Sequence, residues 1–319
     1  MIHCASMCAF EGYTGGMREE PRRYVLPFPD RRAAGRLLGE RLKSTVQLDD
    51  WPGRTLVLGL PRGGVAVAEQ VASVLAVPMN VMITRKIGYP RQPELGVGAI
   101  AEIPGEVGCA PPVYDCGLLD ALSVTPQDLA AVLAAEEAEL ARRTRVYRGG
   151  SPLPRVAGWC VVVVDDGLAT GGTARAALRS LREAQAAHLV LAVPVAPPSA
   201  ATAMRAEADQ VIVLATPRHF SSVGEWYASF GQLSDADVLA LLNEGRGLTK
   251  AGGRRRRVAY GLGPLRQRWP GACADAAQPS AHPRSGHPRC RTSQAATPRS
   301  SGIPAVPGRL RKSPWPCAP

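Results

Sequence analysis

One run of thirteen residues constrains the fold of this chain more than any other feature. Four valines at 161–164 are followed at once by Asp165 and Asp166, and then by a loop of small residues at 167–172. Uninterrupted β-branched apolar residues are typical of a strand that is buried on both faces of a parallel sheet. The run therefore predicts a central strand that ends in two adjacent carboxylates.

The loop after the acidic pair has the composition of an anion-binding site. Its candidate binding residues are Ala169, Thr170, Gly171, Gly172 and Thr173. A helix is predicted to begin here, and the first N–H groups of a helix have no partner within it. Small residues let those groups approach a phosphate closely. The two aspartates would repel a phosphate but can accept hydrogen bonds from a sugar diol. Strand, acids and loop together indicate a sugar-phosphate site.

Each part of this run also has a plain structural interpretation. Two acids after a strand often form a solvated turn, and Gly-Gly-Thr occurs in ordinary turns. The coincidence of a buried strand, an acid pair and an anion-binding loop favours the ligand site. The loop is not a Walker A motif, because no Gly-Lys-Ser/Thr follows, and its glycine spacing differs from the dinucleotide fingerprint.

The run resembles the phosphoribosyl-pyrophosphate (PRPP) signature of the type I phosphoribosyltransferases, which joins an apolar strand, two acids and a Thr-Gly-x-Thr phosphate loop. Three further segments resemble an uncharacterised bacterial group of that family. They are residues 28–35 (Phe-Pro-Asp-Arg-Arg-Ala-Ala-Gly), residues 59–65 (Gly-Leu-Pro-Arg-Gly-Gly-Val) and Arg-Lys-Ile-Gly at 85–88, continuing at 93–100. The similarity extends over about residues 22–245, which is most of the chain.

The pattern of the chain predicts strands that alternate with helices, which is typical of a mostly parallel sheet covered on both faces. Strands are predicted at 55–60, 79–86, 97–103, 159–165, 188–195 and 209–215. Helices are predicted at 31–44, 65–76, 126–147, 173–186 and 197–207, with a last one ending near Gly245. The resemblance implies a three-layer α/β/α fold with strand order 3-2-1-4-5-6 and strand 3 antiparallel. The first and fourth strands would then be neighbours, which brings loop 61–64 beside loop 167–173.

The resemblance also implies a role for each candidate residue. Asp165 and Asp166 would hold the ribose and act in catalysis, and the loop at 169–173 would bind the 5-phosphate. The pyrophosphate would lie near Arg62, Gly63 and Gly64, while Arg85 and Lys86 would close the anionic rim as further catalytic residues. Magnesium is the implied cofactor, bound through the substrate, and the aspartates would assist it mostly through water. The alternative for Gly63-Gly64 is a tight helix entry, and for Arg85-Lys86 a solvated strand end.

Three other segments are candidates for further roles at the site. Residues 86–99 have the glycine and proline content of a lid, and Glu94 and Glu102 are candidate general bases. Asp30 and Arg31 either contribute to a hood over the acceptor or, for Asp30, cap the first helix. The aromatic segment at 217–227 either stacks on an acceptor ring or packs in the core.

One position of the phosphate loop bears on the identity of the acceptor. In 6-oxopurine transferases an aspartate precedes the Thr-Gly of the phosphate loop, whereas this chain has Ala169 there, which is more similar to adenine phosphoribosyltransferase. The leading hypothesis is a phosphoribosyltransferase that displaces pyrophosphate from ribose C1 with a nitrogenous acceptor. The alternative is a PRPP-binding regulatory or sensor module without turnover. Relatives of the group also look fused to a hydrolase, but this chain has no Gly-x-Ser-x-Gly motif.

Charge and composition divide the chain into three parts. Residues 1–21 form a polar leader, in which Met17 is an alternative start, residues 22–246 form the phosphoribosyltransferase domain, and residues 247–319 form a basic tail rich in proline and arginine. Both ends are predicted to be disordered. The alternatives for the tail are a translation artefact or a segment that binds nucleic acid or a membrane. The net charge of +11 comes from the tail, which holds 14 Lys and Arg and one acid, so the rest is near neutral. A nucleic-acid partner for the domain is therefore not expected.

The sequence also bounds location and assembly. No apolar run reaches transmembrane length, and the leader lacks the apolar core of a signal peptide. A cytoplasmic protein with no membrane partner is expected. A homodimer is left open as one assembly state.

Overall fold

The computed structural model describes residues 24–251, which contain eight strands, seven α-helices and two short 3-10 helices. The strands are β1 Thr55–Gly59, β2 Met79–Val81, β3 Thr84–Tyr89, β4 Gln92–Ala101, β5 Val113–Tyr114, β6 Cys160–Val164, β7 His188–Val195 and β8 Gln210–Ala215. The helices are α1 Arg31–Thr45, α2 Gly63–Leu75, α3 Cys116–Ala121, α4 Pro126–Arg148, α5 Gly172–Glu183, α6 Pro198–Met204 and α7 Asp235–Ala251. The leader at 1–21 and the tail after Ala251 lie outside the described residues.

The valine strand β6 occupies the centre of a five-stranded parallel sheet in the order β2-β1-β6-β7-β8. All five of its residues are buried. Val162 and Val164 belong to the core on the α1 and α2 face, and Val161 and Val163 belong to the core on the α5 and α6 face. Burying one valine contributes roughly 1.5–3 kcal/mol, so both layers depend on this strand. The predicted α/β fold, with its mostly parallel sheet between two helical layers, is confirmed.

The predicted strand 79–86 is divided into two parts, β2 and β3. The predicted third strand at 97–103 overlaps the end of β4, which pairs antiparallel with β3 in a second sheet of order β3-β4-β5. The division has a local cause, because side chains bind the backbone groups at the break. Glu102 accepts a hydrogen bond from the Ile83 N–H at 2.7 Å, and Arg148 Nη1 donates to the Val81 carbonyl at 2.8 Å.

Residues 86–99, the candidate lid, are strands with a tight turn between them. They form most of the β3–β4 hairpin, in which Lys86 lies opposite Ala99. The glycines that suggested a lid serve close packing between strands. A Cβ on Gly88 would meet the Pro93 carbonyl oxygen at 2.5 Å, and one on Gly98 would meet the Val113 carbonyl oxygen at 2.8 Å.

Helix α4 begins at a capping box of Thr125 and Asp128. Within the helix, Glu139 and Arg143 form an ion pair with 2.8 Å between Oε1 and Nε. The Arg143 side chain is only 10% exposed. Glu139 also binds Arg142, which reaches Asp235 at the start of α7. Arg142 therefore links Glu139 of α4 to the first turn of α7.

The last helix extends beyond the predicted domain boundary. Helix α7 was expected to end near Gly245 and instead continues to Ala251. Among the helices that the structure describes, none has the length and apolar character needed to cross a bilayer.

Candidate functional site

The loop after β1 and the loop after β6 lie side by side, as the strand order predicts. The Leu60 N–H donates to the Val164 carbonyl at 2.9 Å, which joins the ends of the two strands. An added Cβ on Gly63 would lie 1.8 Å from Asp166 Oδ2, and one on Gly64 would lie 2.7 Å from the Val164 carbonyl oxygen. Only glycine allows the first loop to approach the acidic pair this closely.

The paired acids sit at the carboxyl end of β6 in a partly buried position. Burial, together with the charge of Asp166, raises the pKa of Asp165 well above its ordinary value. Burial also raises the pKa of Asp166, although the Arg31 guanidinium acts in the opposite direction. Asp165 Oδ1 accepts a hydrogen bond from the Asp166 N–H at 2.9 Å. Two adjacent acids with raised pKa values are a common mark of a functional site.

Arg31 contacts the acidic pair directly, which sequence reasoning did not anticipate. Its Nε lies 2.8 Å from Asp166 Oδ2, and its side chain is only 12% exposed. The neighbouring Asp30 has the simpler of its two predicted roles, because its Oδ1 accepts the Ala33 N–H at 2.7 Å and caps α1. Asp30 therefore caps α1, whereas Arg31 forms an ion pair with Asp166.

The predicted phosphate loop ends in an open helix start. Gly171 has φ +78° and serves as the N-cap of α5, a conformation that favours glycine. No side chain in the described part of the chain caps this helix. The loop is anchored at Leu168, whose N–H donates to the Val195 carbonyl at 2.9 Å, while Ala169 and Thr170 are exposed. The free N–H groups of the first turn are thus available to an anion.

The other predicted cations have different surroundings. Arg62 is exposed at the N-cap of α2, directly before the two glycines. Arg85 instead pairs with Glu136 of α4, with 2.6 Å between Nε and Oε2, and Lys86 pairs with Glu94 across the hairpin at 3.6 Å. The placement of Arg85 and Lys86 at an anionic rim stays a prediction.

The two candidate general bases have other contacts. Glu102 is buried and bonded to Arg148, whose attraction is outweighed by burial, so that the pKa of Glu102 is raised. Its carboxylate accepts a hydrogen bond from the Ile83 N–H at the break between β2 and β3. Glu94 lies on the hairpin with its side chain 95% exposed. Glu102 is therefore a structural group, and its assignment as a base is wrong.

The last residue of the aromatic segment at 217–227 packs in the hydrophobic core. Tyr227 is buried and packs against Phe28 and Phe230, with ring centroids 5.7 Å and 5.1 Å away. Phe230 in turn lies under Arg31, whose Cζ is 3.7 Å from the ring centroid. Sequence reasoning did not include Phe230 among the site residues. The clustering of aromatic residues between 220 and 230, in a chain with few of them, was the available signal.

Replacing Gly63 by alanine tests the close approach of the two loops. The new Cβ would overlap the Asp166 carboxylate, so we expect the Arg31–Asp166 ion pair to be displaced in a crystal structure of Gly63→Ala. Overpacking of this kind destabilises by about 1–3 kcal/mol in urea unfolding. The matched control is Gly117→Ala in α3, where the nearest atom to the new Cβ is 3.8 Å away. Equal stability of the two variants, with the ion pair intact, contradicts the described packing.

The raised pKa of Asp165 predicts how an amide at this position changes stability with pH. A carboxyl whose pKa is raised by folding from 3.8 contributes stability at low pH, and this contribution is lost as the pH rises through the folded-state pKa. Asp165→Asn does not ionise, so its melting temperature should exceed that of the wild type by at least ~2 °C near pH 8, and the excess should shrink toward pH 4. Exposed Asp120→Asn is the control. A difference that does not vary with pH would argue against the shift.

Comparison with known proteins identifies relatives of this chain. A family model described as "Phosphoribosyl transferase domain" matches residues 31–223. Two curated proteins of Mycobacterium tuberculosis, from strains CDC 1551 and H37Rv, are both named "Putative phosphoribosyl transferase". Each is 42% identical over 219 residues, which cover 68% of this chain and 46% of the relative. The chain thus spans about half the length of the curated relatives it matches.

A solved structure is similar over the same extent of the chain. The protein TT1426 from Thermus thermophilus is 39% identical with a TM-score of 0.54, and the match covers 68% of this chain and 98% of TT1426. The family model alone matches more than half of the residues, and its range contains the acidic pair, the glycine loop and the open start of α5. The chain therefore belongs to the phosphoribosyltransferase family, a family of transferase enzymes.

Proposed function

We propose that this protein transfers a phosphoribosyl group from PRPP to a nitrogenous acceptor, with release of pyrophosphate and with Mg²⁺ as the assisting ion. One observation carries the proposal. The paired aspartates lie at the carboxyl end of β6, between the glycine loop at 63–64 and the start of α5, which no side chain of the described residues caps. Helix α2 packs on one face of the sheet and α5 on the other, so the acids lie at a topological switch point. Ligands of open α/β sheets bind at such points.

The three groups around this point match the three parts of PRPP. The carboxylates of Asp165 and Asp166 accept hydrogen bonds from the ribose hydroxyls. The N–H groups and hydroxyls of the loop at 169–173 bind the 5-phosphate, because the start of α5 attracts an anion. Arg62 and the N–H groups of Gly63 and Gly64 are suited to the pyrophosphate on the opposite side of the acids.

The donors at this site fit magnesium that arrives with the substrate. Among residues 24–251, no three acidic, histidine or cysteine side chains form a group that could hold a metal ion. Mg²⁺ commonly binds one or two carboxylates and otherwise keeps water and substrate phosphates as ligands. The aspartate pair supplies hard oxygen atoms for water-mediated contact. When bound, the ion offsets the negative charge of the pyrophosphate leaving group.

The chain's own groups also suit the reacting carbon. As the C1–O bond to pyrophosphate breaks and a bond to the acceptor nitrogen forms, positive charge develops on the ribose ring. Carboxylates fixed beside the ring stabilise that charge without reorganising. Glu102 is committed to Arg148, so any general base for the acceptor comes from other residues.

The alternative is a module that binds PRPP without turnover. The basic tail that lends it some support lies outside the described residues. Both hypotheses share the PRPP site, so binding and pyrophosphate release must be measured separately.

The proposal predicts that PRPP with Mg²⁺ binds the full chain and that the acidic pair is required. In isothermal titration calorimetry, Asp165→Asn/Asp166→Asn should weaken binding by at least ~100-fold, because two charge-assisted contacts are lost. The control carries two amides at exposed positions, Asp50→Asn/Asp120→Asn, and should bind as the wild type does.

A second measurement separates transfer from sensing. Pyrophosphate release is followed with a panel of nitrogenous bases in the presence of PRPP and Mg²⁺, and release with one of them supports the transferase. Binding without release from any base favours the sensor. A wild-type chain that does not bind PRPP contradicts both hypotheses.

A further inference from the structure

Arg31 makes three contacts that together fix its guanidinium. Nε donates to Asp166 Oδ2 at 2.8 Å, and Nη1 donates to the Gly231 carbonyl at 2.8 Å. The guanidinium also stacks on Phe230, with 3.7 Å between Cζ and the ring centroid. A planar guanidinium can satisfy these three partners at once, whereas an ammonium group cannot.

The residues that hold Arg31 also hold the main chain of the acidic pair. Tyr227 donates its hydroxyl to the Asp166 carbonyl at 2.5 Å, and its ring packs on Phe230. We name Tyr227, Phe230 and Gly231 the brace. Tyr227 bonds directly to Asp166. Phe230 and Gly231 contact Arg31, which in turn bonds to Asp166.

The brace is attached to the segment that precedes Arg31. The Phe28 N–H donates to the Trp226 carbonyl at 2.8 Å, and the Ala228 N–H donates to the Phe28 carbonyl at 2.8 Å. The Ser229 N–H donates to the Pro29 carbonyl at 3.0 Å. Two segments almost 200 residues apart in sequence thus form one rigid support beside Asp166.

We propose that Arg31 is a positioning residue that fixes the Asp166 carboxylate for ribose binding, and that the brace holds Arg31 in the orientation this requires. The inference rests on the proposed PRPP function. The brace lies after residue 223, beyond the range that the family model matches. Arg31 acts through Asp166, because its Nε and Nη1 are already occupied and its side chain is 12% exposed.

Two physical effects give Arg31 this role. Asp166 Oδ2 lies between Arg31 Nε and the space beside Gly63, so its carboxylate has little freedom to rotate. The guanidinium charge also offsets the repulsion between the neighbouring carboxylates of Asp165 and Asp166. A carboxylate that is already oriented loses less conformational freedom when a ribose hydroxyl binds.

The test compares PRPP·Mg²⁺ affinity in Arg31→Met, Phe230→Leu and the double variant, by calorimetry on the full chain. Arg31→Met should weaken binding ~tenfold, and Phe230→Leu by a smaller factor of about three. If Phe230 acts through Arg31, adding Phe230→Leu to Arg31→Met should change the affinity by less than about twofold. Arg31→Lys should recover part of the loss, because it keeps the charge but not the three contacts.

The matched control is Arg32→Met, one residue further along α1. Arg32 is 46% exposed and pairs with Glu69 and Glu244, away from Asp166, so its loss should leave PRPP affinity unchanged. Urea unfolding of every variant shows whether it folds. If Arg31→Met does not fold, Arg31→Lys and Phe230→Leu decide the question by their affinities.

The outcomes separate this inference from the function on which it rests. A wild-type chain that binds PRPP, with Arg31→Met binding as well as Arg32→Met, overturns the role of Arg31 alone. If the affinity losses of Arg31→Met and Phe230→Leu multiply in the double variant, the role of the brace is overturned. A wild-type chain that does not bind PRPP overturns the proposed function and the positioning role together.

Discussion

The contact between two glycines and two partly buried carboxylates is the constraint on which the rest of this site depends. Acids at the end of a fully buried strand have raised pKa values, and they persist there only because the surrounding structure accommodates them. Gly63 and Gly64 leave room for the carboxylates, while Arg31 supplies the nearest compensating charge. A site of this kind sacrifices stability in order to hold charge where a ligand needs it.

The same contact explains why the two loops stay in register. Strands β1 and β6 pair in parallel, and Gly59 lies opposite Val164, so the loops leave the sheet at the same level. Their helices then diverge to opposite faces of the sheet, which opens a crevice between the loops. The acids project at the place where neither helix covers the strand ends, and the arrangement follows from topology rather than from any single side chain.

The sequence predicted the parts of the fold that are encoded locally. The valine run, the glycines at 63–64 and the capping box at Thr125 each specify their structure within a few residues. The division of the strand at 79–86 and the burial of Glu102 involve Arg148, which is distant in sequence. The brace depends on pairing between residues 28–29 and 226–229. Neither long-range pairing leaves a periodic signal in one sequence, so both were missed.

The most direct test of this account is a crystal structure of the full chain with PRPP and Mg²⁺. The account predicts that the ribose hydroxyls lie about 2.6–3.2 Å from the carboxylate oxygens of Asp165 and Asp166. It also predicts the 5-phosphate at the N–H groups of residues 170–173, with Arg31 still bonded to Asp166. A ligand bound elsewhere, or a ribose that does not contact either aspartate, would contradict it.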